Sequence, residues 1–178
     1  MTKTELEACI QAYGTDLFSF CRHITNSMQE AEDLYQDTFL TAIEKTAKID
    51  GKNNPKSYLL SIAVRLWKNK KRKFAWRARI AAAHSFSENQ NETDPDPLHP
   101  SLEEQVIQKE EVRLVRQAVA RLPKRLKFPV LLYYMEDMST AEIAAILKIP
   151  AGTVKSRLYQ ARNALKKELV VILDEKFR

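Results

Sequence analysis

A basic stretch in the last third of the chain, residues 148–167, contains the residue types that hold DNA. It has six lysines and arginines and no acidic residue. Gly152, one of only three glycines in 178 residues, lies near its start. Glycine at a helix N-terminus lets backbone N–H groups and the positive end of the helix dipole approach a phosphate closely. Alternatively, Gly152 only relieves a tight helix crossing and the charges form a solvated face.

The spacing in this stretch predicts a helix with one buried and one outward face. Its apolar residues recur at helical intervals and form a single stripe: Val154, Leu158, Ala161 and Leu165. The polar residues opposite and beside that stripe are candidate contacts to phosphates and bases: Gly152, Thr153, Lys155, Ser156, Arg157, Tyr159, Gln160, Arg162 and Asn163. A shorter helix precedes it, with Ser139 and Glu142 spaced as in a capping box. Two such helices joined by a very short connection are typical of a helix-turn-helix.

A second basic segment, residues 65–79, has eight basic residues, no acid and three large aromatic residues. This mixture suits single-stranded or opened DNA, because charge follows the backbone and exposed rings accept unpaired bases. Two of the aromatic residues have alternative interpretations of their own. Trp67 is as well explained by packing in a helical core, and Trp76 by packing at a helix end.

A third segment, residues 29–45, predicts an amphipathic helix with acidic residues outside. The buried face would comprise Ala31, Leu34, Tyr35, Thr38 and Ala42. The opposite face carries Asp33, Gln36, Asp37 and Glu44, with Leu40 among them. An exposed leucine ringed by carboxylates is a candidate contact for a basic protein surface. A solvated face with one exposed leucine is an equally weighted alternative.

The elements that carry these segments are helical nearly everywhere, which predicts an all-α protein. Helices are expected near residues 3–25, 28–46, 55–79 or 83, 101–121, 123–136, 139–147 and 150–176. Pro129 should kink the fifth helix or displace its start. Acids and three prolines fill the interval between the third and fourth helices, a linker composition. The predicted domains are therefore 1–83 and 106–178, joined by a linker at 84–105.

Composition narrows the functional classes further. The formal net charge of +6 permits nucleic-acid binding. No apolar run approaches the roughly 20 residues of a membrane span, so a cytoplasmic protein is expected. Cys9 and Cys21 form no zinc-binding or redox motif, and His23, His84 and His99 are scattered. Nucleotide-binding, metalloprotease and esterase motifs are missing, so we expect no catalysis, no cofactor, no metal and no small-molecule substrate.

The two halves together resemble bacterial RNA polymerase sigma factors of the extracytoplasmic-function (ECF) group. Residues 118–168, and "GTVKSRLYQAR" above all, resemble sigma region 4. The motif "AEDLYQDTF" lies in residues 16–73, which resemble region 2. Regulators of the LuxR type share a related helix-turn-helix but lack the region 2 helix. A stand-alone helix-turn-helix regulator, binding DNA as a dimer without polymerase, is the alternative.

The resemblance implies a sigma factor that binds core RNA polymerase and directs promoter-specific transcription initiation. The region 2 helix would dock on the β′ clamp helices through Asp33, Gln36, Asp37 and Leu40. The following loop and helix would read the −10 element through Asn53, Asn54, Lys56, Tyr58, Arg65, Trp67, Lys68, Lys71 and Arg72. Region 4 would read the −35 element with the residues named above and contact the β flap. The group also implies an anti-sigma factor, often membrane-anchored.

Three positions depart from the pattern of the group. Arg65 stands where asparagine is usual, and Asn69 stands where aspartate is usual. Lys148 replaces a glycine often found at the tight turn between the last two helices. If that turn is left-handed, lysine there should cost about 1 kcal/mol.

Overall fold

The computed structural model describes residues 3–25, 27–45, 54–84 and 106–176, and within these ranges the fold is helical without strands. The helices are α1 (Lys3–Ile24), α2 (Met28–Glu44), α3 (Pro55–His84), α4 (Val106–Ala120), α5 (Lys124–Val130), α6 (Thr140–Leu147) and α7 (Ala151–Lys176). A π-helical turn, Leu131–Met135, follows α5 directly. The all-α prediction is confirmed.

The chain divides into two compact units, Met1–Asp94 and Pro95–Arg178. The first contains α1–α3 and the second contains α4–α7. The division falls inside the predicted linker. Residues 85–105 lie outside the described ranges, so the domain limits of 83 and 106 stay predictions.

In the first unit, α1, α2 and α3 pack against one another around a small apolar core. The buried residues of α2 are Ala31, Leu34, Thr38, Phe39 and Ala42, which matches the predicted face except that Tyr35 is half-buried and Phe39 joins it. Ser27 caps the helix, its hydroxyl accepting the Glu30 N–H at 3.1 Å. Gly14 lets α1 approach α2, because a Cβ there would lie 3.0 Å from the Tyr35 hydroxyl.

Helix α3 changes character along its length. Its first half buries an apolar stripe that ends at Trp67: Leu59, Leu60, Ile62, Ala63, Val64 and Trp67. From Lys68 to Ile80 every side chain except the half-buried Lys71 is exposed. The first half therefore belongs to the bundle, and the second half presents its basic and aromatic side chains to solvent.

In the second unit, α7 packs against α4, α5 and α6. Val154, Leu158 and Ala161 of α7 are buried, and Leu165 packs with Leu169 against the Leu114 and Ala118 side chains of α4. The predicted apolar stripe of the last helix is confirmed. The same packing turns the opposite side of α7 toward solvent.

Pro129 lies in the last turn of its helix and leaves the start of that helix in place. Helix α5 begins at Lys124, directly after Pro123. Beyond Pro129 the backbone changes to the π turn, where the Glu136 N–H donates to the Leu131 carbonyl at 3.2 Å. Proline at 129 cannot donate to the Arg125 carbonyl, so its direct effect falls on the turn before it and does not account for the π turn after it. The expected displacement of the start of the helix is absent.

Helix α6 has the predicted cap at its start and a left-handed residue at its end. Ser139 Oγ accepts the Glu142 N–H at 3.3 Å, and the Glu142 carboxylate accepts the Ser139 N–H at 2.9 Å, which completes the capping box. Helix α6 ends at Leu147, and its C-cap Lys148 has a left-handed φ of 56° and ψ of 51°. Lysine thus occupies the conformation in which glycine is favoured.

Replacing Lys148 by glycine should raise the free energy of unfolding of the second unit by about 0.5 kcal/mol. The left-handed strain of about 1 kcal/mol disappears, and the greater freedom of glycine in the unfolded chain offsets part of that gain. Urea denaturation followed by circular dichroism measures the change. Lys148→Ala is the matched control, since it removes the same charge but keeps the strain. Equal stability of the two variants would contradict the explanation.

Candidate nucleic-acid and protein interfaces

The predicted recognition residues of α7 lie on one continuous outward surface. Gly152, Lys155, Ser156, Tyr159, Gln160, Arg162 and Asn163 are exposed, and Thr153 and Arg157 are half-buried at its edge. One helix therefore brings together all nine residues that the sequence singled out. The surface has basic, hydroxyl and amide groups, which suit contacts to both phosphates and base edges.

Gly152 begins this surface and has open space around it. A Cβ built on it meets no atom of a neighbouring described residue within 4 Å. The idea that glycine relieves a tight helix crossing is therefore wrong. The Thr153 and Val154 N–H groups donate to the Pro150 carbonyl at 2.9 and 3.1 Å. The preceding N–H groups belong to the first turn, where a helix offers no partner of its own and an anion can bind.

Replacing Gly152 by alanine should separate stability from DNA binding. Alanine favours helix over glycine by up to about 1 kcal/mol, so the unfolding midpoint should rise. The added methyl group stands where a phosphate would approach the N–H groups, so DNA affinity should fall about tenfold through loss of a charge-assisted hydrogen bond. Fluorescence anisotropy with a promoter duplex and thermal unfolding measure the two effects. Unchanged DNA affinity would remove Gly152 from the interface.

Two side-chain hydrogen bonds organise the recognition surface. Gln160 Nε2 donates to Ser156 Oγ at 3.3 Å along the helix. Arg162 Nε donates to the Tyr134 hydroxyl oxygen at 2.7 Å, and Tyr134 comes from the π turn. Sequence reasoning missed Tyr134, because its position depends on a backbone irregularity that helical periodicity does not reveal.

Lys127, in α5 of the same unit, has a structural role. Lys127 is half-buried, and its Nζ lies 3.5 Å from the Ala120 carbonyl oxygen at the end of α4. Burial lowers the pKa of the Lys127 ammonium below its ordinary value, and repulsion from Lys124 lowers it further. A cation at a helix C-terminus is favourably placed against the dipole, so Lys127 ties α5 to α4.

The predicted −10 residues of the first unit differ in exposure and in the contacts they make. Arg65, Lys68 and Arg72 are exposed on α3, whereas Tyr58 is half-buried. Asn54 accepts the Lys56 N–H with its side-chain oxygen at 3.1 Å, at the start of α3. Lys56 also forms an ion pair with Asp16 of α1 at 2.8 Å. Asn53 lies outside the described residues.

Trp67 requires a correction. Its side chain is 1% exposed and belongs to the core of the first unit. It occupies the last position of the buried stripe of α3, so packing in the helical core explains its position. The ring is therefore not available to stack on a base in this conformation. Its neighbour Lys71 lies over the ring, with Nζ 4.4 Å from the centroid and 3.6 Å from Glu30 of α2, so Lys71 has a structural role as well.

The exposed aromatic residues of α3 lie farther along the helix. Phe74 and Trp76 are each 63% exposed, and lysines and arginines flank them. Rings in this position can stack on unpaired bases while the cations hold the backbone. The sequence placed both residues in the basic segment but not among the candidate contacts, since periodicity alone did not show where the buried stripe ends.

The acidic face of α2 forms the second candidate interface. Leu40 is 59% exposed, and Asp33, Gln36, Asp37 and Glu44 are exposed around it. Ile43, also exposed, lies one turn from Leu40 and enlarges the apolar centre, a residue that sequence reasoning missed. An apolar centre with an acidic rim is the anatomy of a protein-binding surface for a basic partner. Asp33 already has one cation nearby, Lys70 of α3 at 3.7 Å.

Two further site types were sought in the described ranges. They contain no group of three or more His, Cys, Asp and Glu residues that could hold a metal ion. None of the described helices combines the length and apolar character that a membrane span requires.

Comparison with known proteins relates the two units to two regions of one protein family. Residues 9–77 match the family model of sigma-70 region 2, and residues 113–165 match that of sigma-70 region 4. The ECF RNA polymerase sigma factor SigW of Bacillus subtilis is 27% identical over 164 residues, 90% of this chain and 86% of that protein. The RNA polymerase sigma-H factor of Pseudomonas aeruginosa is 26% identical over 176 residues, 97% of this chain and 90% of that protein.

Solved structures show the same fold. The sigma factor RpoE of Bartonella quintana, crystallised with the anti-sigma factor NepR, aligns with a TM-score of 0.75 at 24% identity, covering 94% of this chain and 98% of RpoE. CnrH, solved with the cytosolic domain of CnrY, aligns with a TM-score of 0.64 at 18% identity, covering 98% of this chain and 90% of CnrH. The matches to regions 2 and 4 together span more than half of the sequence, in the family's order. The chain belongs to the extracytoplasmic-function group of RNA polymerase sigma factors.

Proposed function

We propose that this sigma factor binds core RNA polymerase through the acidic face of α2 and reads promoter DNA with α3 and α7. The observation that carries the proposal is that each unit has an exposed surface, and that the two surfaces differ in chemistry. One has Leu40 and Ile43 within a rim of carboxylates, and the other has the basic face of α7. A basic protein surface fits the first, and a DNA groove fits the second.

The −35 element is assigned to the nine outward residues of α7. Gly152 supports phosphate binding at the helix N-terminus, and Lys155 and Arg157 add positive charge beside it. The exposed Gln160 and Asn163 side chains offer amide groups suited to base edges. Region 4 would also contact the β flap of polymerase, as the family resemblance implies.

The −10 element is assigned to the exposed Arg65 and to the exposed second half of α3. Arg65, Lys68 and Arg72 would follow the DNA backbone, while Phe74 and Trp76 would receive unpaired bases. Binding energy for the unpaired strand can keep the promoter open, so the proposed role needs no catalysis by this chain. Two modest DNA contacts on linked domains, with limits near 83 and 106, would gain affinity through effective concentration.

An anti-sigma factor is the third proposed partner. RpoE, which shares the fold, was solved with the anti-sigma factor NepR. The exposed apolar residues of α2 would give such a partner a place to compete with polymerase. A membrane-anchored anti-sigma factor would hold the chain at the cytoplasmic side, where RNA polymerase also acts.

Run-off transcription tests the proposal. Purified core RNA polymerase is incubated with fragmented bacterial DNA, with and without the chain, and the 5′ ends of the transcripts are sequenced. We expect discrete starts that require the chain, preceded by two shared upstream elements. No new starts, together with tight DNA binding in the absence of polymerase, would favour the stand-alone regulator instead.

A further inference from the structure

Tyr134 lies beside the recognition surface but belongs to another element. It is the fourth residue of the π turn Leu131–Met135, and it is 56% exposed. Its hydroxyl oxygen accepts the Arg162 Nε–H at 2.7 Å, and its ring centroid lies 5.9 Å from the guanidinium carbon. A hydrogen bond to the hydroxyl therefore holds one arginine of α7.

The ring of Tyr134 is itself held in place. Tyr133 meets it edge-on, with centroids 5.0 Å apart and planes at 77°. The backbone below is fixed by the hydrogen bond from the Glu136 N–H to the Leu131 carbonyl. An extra residue in the turn rotates the side chains that follow relative to an uninterrupted α-helix. The irregularity after Pro129 thus determines where the phenol of Tyr134 stands.

The geometry leaves the DNA-binding part of Arg162 available. The bond to Tyr134 uses Nε, so the two terminal nitrogens can still donate as a pair to a phosphate or to guanine O6 and N7. The phenol accepts from Arg162 and keeps its own proton, which it can donate to another acceptor.

We propose that Tyr134 is a positioning residue for −35 recognition, which orders the Arg162 guanidinium before DNA arrives. The inference rests on the proposed function of α7. An arginine that is already ordered loses less conformational freedom on binding. The reading surface then consists of α7 together with the π turn, and not of α7 alone.

The contact can be tested first in the free chain. The Nε–Hε resonance of Arg162, assigned with Arg162→Gln, should be resolved and slow to exchange in two-dimensional ¹⁵N spectra. Tyr134→Phe, which keeps the ring, should shift it and speed its exchange with water. The matched control Tyr133→Phe should leave it unchanged. If Tyr134→Phe leaves the Arg162 resonance unchanged, the proposal is overturned, whatever the DNA-binding measurements give.

The function of the contact needs a double-mutant cycle. Holoenzyme is measured on the promoter fragment with the strongest start in the run-off experiment. Tyr134→Phe should weaken binding about 3- to 10-fold, the scale of ordering one long side chain. In the Arg162→Gln background the same change should weaken it less than about 1.5-fold, because coupled residues are not additive. Tyr133→Phe should have no effect in either background.

The outcomes separate the two levels of inference. Arg162→Gln alone should weaken binding about tenfold or more, as the loss of a charge-assisted contact predicts. If it does so but Tyr134→Phe has no effect, or has the same effect in both backgrounds, the positioning role is wrong and the proposed function stands. If Arg162→Gln has no effect, Arg162 does not read this promoter and the positioning role falls with it. If the holoenzyme selects no promoter at all, the proposed function has failed.

Discussion

Leu40→Arg should weaken binding of the chain to core RNA polymerase at least about thirtyfold, the effect expected when the apolar centre of a protein interface is lost. The leucine is 59% exposed, so the change leaves the core of the bundle intact. The new guanidinium would pair with Asp37 or Glu44 and repel a basic partner. Titration of labelled chain with purified core polymerase measures the affinity.

The matched control for this prediction is Met28→Arg. Met28 lies on the same helix and is half exposed, but on a different side from Leu40. Its replacement should leave polymerase affinity within about twofold, as is usual for surface changes outside an interface. Lys155→Ala should likewise preserve polymerase binding while weakening promoter binding. Equal losses for Leu40→Arg and Met28→Arg would show that the acidic face has no special role.

Trp67→Ala should lower the free energy of unfolding of the first unit by about 3–5 kcal/mol, the cost of deleting a fully buried large aromatic side chain. The ring ends the buried stripe of α3, and the Lys71 cation over it would lose its support. Urea denaturation with circular dichroism should show an early transition for the first unit and an unchanged transition for the second. Core polymerase binding should fall in parallel, since α2 packs on α3.

Trp76→Ala separates packing from DNA contact in the same helix. Trp76 is 63% exposed, so its loss should change stability by less than about 0.5 kcal/mol. It should weaken binding to single-stranded −10 DNA by about 1–3 kcal/mol, the value of one stacked base. A Trp67 variant that binds unpaired DNA poorly yet unfolds like the wild type would restore the direct base contact to Trp67.

Helical periodicity predicted the helices of this chain and most residues of their apolar stripes. The ends of α2, α6 and α7 lie within two residues of their predicted positions, because caps and short turns mark them. The capping box at Ser139 also followed from residue types at fixed spacing, whereas the strain at Lys148 was expected only from the resemblance to a group that often has glycine there. Local rules suffice for such features, since the atoms involved are close in sequence.

Contacts between residues far apart in the sequence could not be predicted from the sequence. The ion pair between Lys56 and Asp16 spans 40 positions, and the bond between Arg162 and Tyr134 spans 28. Trp67 and Trp76 have similar neighbours in sequence, and only the end of the bundle decides that one is buried and the other exposed. That difference depends on tertiary packing, which the periodicity of the sequence does not reveal.

The ion pair between Asp33 of α2 and Lys70 of α3, with N and O 3.7 Å apart, lies between the proposed polymerase surface and the proposed DNA surface. If polymerase bound the Asp33 carboxylate, Lys70 would lose its ion-pair partner. DNA would then meet one more unpaired positive charge on α3. Linkage is reciprocal, so a DNA phosphate that pairs with Lys70 would favour polymerase at Asp33 by the same factor. An exposed pair of this kind is worth at most about 1 kcal/mol, which sets the cooperativity at no more than about fivefold. The sigma factor would then bind promoter DNA more tightly on polymerase than alone, even before the DNA touches polymerase itself.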